Sequence, residues 1–323
     1  MRIDEHIAAL RDDPVSQRLA QQQMDRSKSD WLSQPNTMAL ADQLERYANR
    51  EPLAQLHQLR EIMTSHDAAS TLIANWQAHF VQMVRDNPLG HVPLKHNYSV
   101  GFATLRLFEV GPVSLSLVTY EQVEQSVEPQ VAAFSQREQY EIVIAGRAQG
   151  MLYRRGHEDT DASRVDVTRK DLRRGSTIAF PDEQHSRQIT DVRGCLLLLQ
   201  LSRATREPKP VQEIRISDGA LVHQSSGTKR ESQIAMAMAV LTELGRADAA
   251  PHCAKLTQDG PAYLRWDALR HTLALEPVRG FALLGDMAAD DEDELALPAL
   301  ALRDQLAAAH PQLLQMEADQ CRN

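Results

Sequence analysis

The first 89 residues of this 323-residue chain contain no glycine; all 14 glycines lie at or beyond Gly90, and nine of them fall between Gly101 and Gly227. Glycine supplies the positive-φ turns that join short strands, so a stretch without it favours helices and a stretch crowded with it favours frequent reversals. The chain is therefore organised in pieces. Charge divides it the same way: residues 1–90 carry 9 basic and 12 acidic side chains, 91–228 carry 17 of each, and 229–323 carry 9 and 15. The acidity of the whole (net -9) belongs to its two ends, around a neutral middle. At roughly 100 to 200 residues per domain, this length predicts two or three domains.

Within 1–90, Leu53, Leu56, Leu59, Ile62 and Met63 recur at three- and four-residue spacing, as do Leu72, Ile73, Trp76, Phe80, Met83 and Val84. Both patterns predict amphipathic helices. Asp67 is placed to cap the second helix and Asn87-Pro88-Leu89-Gly90 to stop it. The first forty residues, rich in Gln, Ser and Asp, read as a loosely docked arm.

Past Gly90 the spacing changes to alternation: Ala103, Leu105 and Leu107, then Val113, Leu115 and Leu117, then Tyr140, Ile142 and Ile144. This predicts short strands, with turns at Glu109-Val110-Gly111-Pro112 and at Ala145-Gly146-Arg147. Cys195-Leu196-Leu197-Leu198-Leu199-Gln200-Leu201 is apolar on both faces, as in a strand covered on two sides. Such a series predicts an all-β sandwich or barrel. Beyond residue 228 helical spacing returns with a repeat. A shift of 31 residues sets Cys253 on Leu284, Leu256 on Met287, Leu264 on Leu295, Ala268 on Ala299 and Leu269 on Leu300. Leu264-Arg265-Trp266-Asp267-Ala268-Leu269-Arg270 resembles the second helix of bacterial HEAT-like repeats, which implies stacked helix pairs and an extended protein-contact surface.

Two stretches of the middle piece carry a second resemblance. Phe134-Ser135-Gln136-Arg137-Glu138-Gln139-Tyr140-Glu141-Ile142-Val143-Ile144-Ala145-Gly146 resembles the first conserved motif of the RmlC-like cupin superfamily. Asp171 to His185, with Gly175, Pro181 and His185, resembles the second. The resemblance covers about 120 residues, from His96 to roughly Arg215. The expected fold class is thus α+β and multidomain: an N-terminal helical region (1–90), a central all-β cupin barrel or sandwich (91–228) and a C-terminal α-helical HEAT-like repeat region (229–323).

Metal-dependent cupins use three histidines and one glutamate, a donor set suited to iron, manganese or nickel. In this sequence Phe134 or Ser135 stands where the second histidine would fall, Gln139 stands at the glutamate position, and His185 alone stays in register. One imidazole cannot hold a catalytic metal, so no cofactor is expected. Glu141 shares the facing of Gln139 and could supply the carboxylate missing there, and His96 and His157 are further candidate ligands beside His185 and Glu141. The expected ligand-binding residues are His185, Gln139 and Glu141, turned inward, with Tyr140 against another layer.

Two functions follow. The first is a small-molecule or peptide-binding cupin-like protein without the usual metal centre, its helical flanks serving protein contact or a homodimer. The second is a metal-dependent cupin oxygenase of the thiol-dioxygenase kind, with a rearranged His and Glu set holding Fe, Ni or Mn. Net charge argues against nucleic acid as partner. No run approaches the ~20 apolar residues that span a bilayer, and the N-terminal MRIDEHIAALRDDP is not a secretion signal, so no membrane partner and a cytoplasmic location are expected. Cys195, Cys253 and Cys321 are too scattered for a zinc knuckle or a disulfide framework.

Overall fold

The structure is a computed structural model describing residues 14–122, 129–156, 165–205 and 209–320. The chain divides into two compact units, one formed by Met1–Pro208 and Glu213–Val222, the other by Lys209–Gln212 and His223–Asn323.

Among the described residues, the first unit opens with the α-helices α1 (Pro14–Leu32), α2 (Pro35–Ala48), α3 (His57–Thr64) and α4 (His66–Asp86). The expected loose arm is instead ordered helix from Pro14 onward, and its few apolar residues explain why: Met24, Trp31 and Leu40 fall on the inward stripe and are fully or almost fully buried. Trp31 meets Phe80 edge to face, with ring centroids 5.5 Å apart. The cap of α4 also differs from expectation. Ser65 is the N-cap, its hydroxyl accepting from the Ala68 N–H at 3.4 Å, and Asp67 sits in the first turn, where a carboxylate favours the helix dipole.

The strands are β1 (His96–Ser99), β2 (Phe102–Val110), β3 (Val113–Glu121), β4 (Val131–Phe134), β5 (Arg137–Arg155), β6 (Val165–Arg173), β7 (Thr177–Phe180), β8 (His185–Ala204), β9 (Val211–Arg215) and β10 (Leu221–Ser225). Seven form one antiparallel sheet, ordered β1-β2-β3-β8-β5-β6, with β7 also paired to β5; β10, β9 and β4 form a second. One face of the large sheet packs on the helices: Leu107, Leu115, Ile142, Leu199 and Leu201 join Leu40, Leu44, Leu59 and Phe80 in a single apolar core. The change near residue 90 thus marks the passage from helix to strand, and the core runs across it. Arg203 ties the layers together. Its guanidinium lies 3.9 Å from the Tyr47 ring centroid, donates to the Tyr47 carbonyl at 2.7 Å and pairs with Glu138.

The turn expected at Gly111 is present, but Ala145-Gly146-Arg147 does not reverse the chain. It is a bulged bend within the 19-residue β5, and β8 bends opposite it at Asp191 and Gly194. Gly146 has φ +89°, and a Cβ there would sit 1.9 Å from the Cys195 carbonyl oxygen, so only glycine allows the two strands to cross the bend in contact. Through this bend the sheet folds over on itself. Val118, Val143 and Leu198 on one arm pack with Ala148 and Leu172 on the other in a second apolar cluster.

The second unit is helical: α5 (Lys229–Glu243), α6 (Ala250–Lys255), α7 (Ala262–Leu275), α8 (Pro277–Ala288), α9 (Ala296–Ala309) and α10 (Gln312–Gln320). The positions related by 31 residues are buried in successive clusters: Cys253 and Ala268 with Met238, then Leu284 and Ala299 with Leu269. The match ends at Leu300, which is 47% exposed where its counterpart Leu269 is fully buried. Asp293 accepts from the Leu295 N–H just ahead of α9 and forms an ion pair with Arg265 on α7. No helix among the described residues is long and apolar enough to cross a membrane.

Candidate functional site

The inner face of the folded sheet carries a graded set of side chains. Directly opposed residues of antiparallel strands share a face, so the register arranges β5, β8 and β3 in layers. Val143, Leu198 and Val118 form an apolar layer; Glu141, Gln200 and Ser116 form the next; Gln139 and Ser202 follow, and Arg137 opposite Ala204 ends the series. On the other arm the same alternation runs from Ile189 through Arg187 to His185. The polar groups therefore collect toward one rim, above an apolar floor.

Glu141 is the centre of this layer and is completely buried. Its Oε2 accepts from Arg187 Nε at 2.6 Å, and its Oε1 accepts from Arg187 Nη2, from Gln200 Nε2 at 2.7 Å and from Gln139 Nε2 at 2.8 Å. Arg187 also donates to the Tyr120 hydroxyl at 3.0 Å, and its guanidinium carbon lies 5.4 Å from the centre of that ring. Burial opposes the charge on Arg187, but Glu141 and Tyr120 outweigh it and hold the guanidinium above the ordinary arginine range. In the ladder Arg187 stands opposite Leu152, eleven residues along β5 from Glu141. On a flat sheet that separation is about 36 Å, so the ion pair exists only because the sheet folds over.

Arg137 has no ion-pair partner among the described residues. Arg137 is an exposed residue whose guanidinium is partly desolvated by its neighbours, and this, with the nearby charge of Arg187, sets it below the usual arginine range while leaving it charged at neutral pH. Glu141, with both oxygens already engaged, does not pair with Arg137.

His185 accompanies Arg187 on the inner face of β8, and its Nδ1 lies 2.5 Å from Asp182 Oδ1. Its ring packs against Phe180 at 6.3 Å between centroids, and Phe180 stands opposite Gln139 in the β5–β7 ladder. Of the residues expected to bind ligand, Gln139 and Glu141 are hydrogen-bonded to each other, and His185 joins them across Phe180. Tyr140 turns the other way, against the helical layer, and Tyr153 lies in a third cluster with Phe134 and Ile214. His96 is exposed on β1, its Nδ1 bonded to the Leu94 carbonyl, and His157 lies outside the described residues.

These residues do not fit a metal ion. The carboxylate that would bind a cation already faces a guanidinium with both oxygens, and among the described residues no group of three or more His, Cys, Asp or Glu side chains could hold one. The sequence pattern did not single out Arg187, Gln200, Tyr120 or Arg137. Arg137 was legible, since it alternates with Gln139 and Glu141, and so was Gln200, a lone amide in a strand of leucines. Arg187 carries no local signal, because what joins it to Glu141 is the bend.

No family model matches the chain, and no curated protein does. Among solved structures it is similar to a sugar phosphate isomerase from a cupin superfamily of Silicibacter pomeroyi, at 12% identity over 41% of this chain and 88% of that one, with a TM-score of 0.27. It is also similar to the 7S globulin of Momordica charantia, at 11% identity over 39% of this chain and 36% of that one, with a TM-score of 0.27. An oxalate oxidase aligns at 13% identity over 33% of this chain and 53% of that one, with a TM-score of 0.24.

Proposed function

We propose that this chain is a cupin-like small-molecule-binding protein without the usual metal centre, its C-terminal HEAT-like helices serving as a protein-contact surface. One observation carries the reading: the Glu141 carboxylate is spent on Arg187, Gln139 and Gln200 inside the sheet, where a catalytic metal would require it free. A folded sheet with an apolar floor and a polar rim suits a small ligand bearing one polar end. The helical unit supports the second half of the reading through its 31-residue recurrence of buried positions.

The test is metal content measured on the purified full chain beside a His185→Ala variant, with a thermal-shift screen of small molecules on both. The expectation is substoichiometric metal in each, and ligand-dependent stabilisation that the variant weakens. Stoichiometric iron, nickel or manganese that disappears in the variant would instead establish an oxygenase-type centre and overturn the proposal.

A further inference from the structure

The two faces of α5, in the second unit, meet different surroundings. Ile234, Ala235 and Met238 turn inward, packing with Cys253 of α6 and with Leu264 and Ala268 of α7. Glu231 and Thr242 share that side, Glu231 accepting from the Tyr263 hydroxyl at 2.8 Å and Thr242 lying 2.9 Å from His271 Nδ1. At about 100° per residue the opposite side carries Lys229, Gln233, Met236, Val240 and Glu243, with Leu244 just past the helix end. Met236, Val240 and Leu244 are 65%, 53% and 68% exposed. An end helix in a stack of helices needs a polar outer face to stay in water, and this one presents an apolar stripe instead. Its charges also run against the helix. An anion is favoured at a helix N-terminus and a cation at the C-terminus, yet on this face Lys229 holds the first position and Glu243 the last.

We propose that this face of α5 is a self-association surface, on which a second copy of the chain docks its own α5 antiparallel with Met236 and Val240 at the two-fold axis. Charge complementarity selects that occupant and that direction. Reversed end for end, the second copy brings the partner's Glu243 beside Lys229 and the partner's Lys229 beside Glu243, so one arrangement makes two ion pairs. A parallel copy would set like charge on like. Reversal also corrects the dipole mismatch, because Lys229 then lies beside a helix C-terminus and Glu243 beside an N-terminus. A single helix pair buries less than the standard interface of about 1,600 Å², so association in the micromolar range is expected. The inference rests on the protein-contact half of the function proposed above and names the partner.

Sedimentation equilibrium of the full chain, from about 1 to about 300 μM at low salt, reads the association directly. A monomer–dimer equilibrium is expected, weakened by added salt because the end pairs are exposed to solvent. Lys229→Glu and Glu243→Lys should each weaken the dimer at least about fivefold, and the double variant, which restores opposite charges across the axis, should recover it. Each single reversal improves the helix's own dipole, so neither should lower the melting temperature of the monomer, which separates a lost contact from a folding defect. Val240→Glu, at an exposed position, should weaken the dimer at least about tenfold. A double variant no better than the single ones, or a dimer indifferent to Val240→Glu, would overturn the proposal. Mass that climbs past the dimer with concentration would do the same, because it marks head-to-tail growth through another patch, such as the exposed Leu297 and Leu300 of α9. A chain monomeric throughout would also overturn it. The contact reading would then survive if the monomer binds an apolar dye that Val240→Glu no longer binds, and would fall too if no dye binds.

Discussion

Replacing Glu141 by glutamine tests the central layer, because it removes one charge and little volume. Both partners are buried, with side-chain exposures of 8% for Arg187 and 0% for Glu141, so solvent screening offers little relief. Breaking a buried pair from one side typically costs about 3 to 5 kcal/mol, since the remaining ion has no counter-charge. The glutamine keeps one oxygen to accept from Arg187 or Gln200, which places the expected loss at the lower end, about 3 kcal/mol. For a unit of this size that corresponds to a fall in Tm of roughly 6 to 12 °C. Trp31 and Trp76 belong to the first unit and Trp266 to the second, so fluorescence melting in a Trp266→Phe background follows the first unit alone. The double variant Glu141→Leu with Arg187→Met should recover most of the loss, because well-packed apolar replacements of a buried pair are often neutral or stabilising. A loss below about 1 kcal/mol in Glu141→Gln would refute the reasoning, since only a water-screened pair behaves that way. A double variant no better than the single one would show that the carboxylate acts mainly through Gln139 and Gln200.

Three other outcomes follow from particular residues. Gly146→Ala places a Cβ against the Cys195 carbonyl at a positive φ, so it should cost at least about 2 kcal/mol by chemical denaturation, with Gly194→Ala milder because its Cβ meets nothing. Asp293 is held below the usual carboxylate range, first by its hydrogen bond from Arg265, so the pair stabilises the fold above that range and loses its contribution as pH falls through the lowered value. Asp293→Asn should therefore narrow the gap between the neutral and acid stability of the chain, read as a smaller shift of the urea midpoint between pH 6 and about pH 3. The phenol of Tyr263 is pushed up to about 12, chiefly by burial. Tyr47 and Tyr140 are raised as well, also chiefly by burial, so spectrophotometric titration of the parent beside Tyr263→Phe should show the variant losing a tyrosine that ionises well above the ordinary value of about 10.

Much of the site is legible in the sequence. Alternation alone sets Gln139 and Glu141 on one face of β5 and Tyr140 on the other, and side-chain contacts agree because a strand's period of two leaves no other choice. Glu141 stands out as an acid directly ahead of the apolar run Ile142-Val143-Ile144. Its partner does not, because 46 residues separate Glu141 from Arg187 and an exposed arginine and a buried one look alike in a sequence. Gly146 is recognisable as a special backbone position, but its neighbours suggest a reversal. Glycine permits both a turn and a bulge, and the choice lies with β8, whose chain runs alongside without a break.

The sequence by itself determined the order of the pieces, helical then β then helical, because hydrophobic spacing and glycine content are local properties that local sterics translate directly into helix and strand. It also determined which residues share a face. Only the tertiary structure decided that the N-terminal helices and the sheet share one core, and that Glu141 is occupied by a guanidinium. Both depend on where a bent sheet brings distant residues together. That is settled by burying apolar surface on both sides of the sheet at once and by the cost of leaving a buried charge alone, and neither acts within a short stretch of chain.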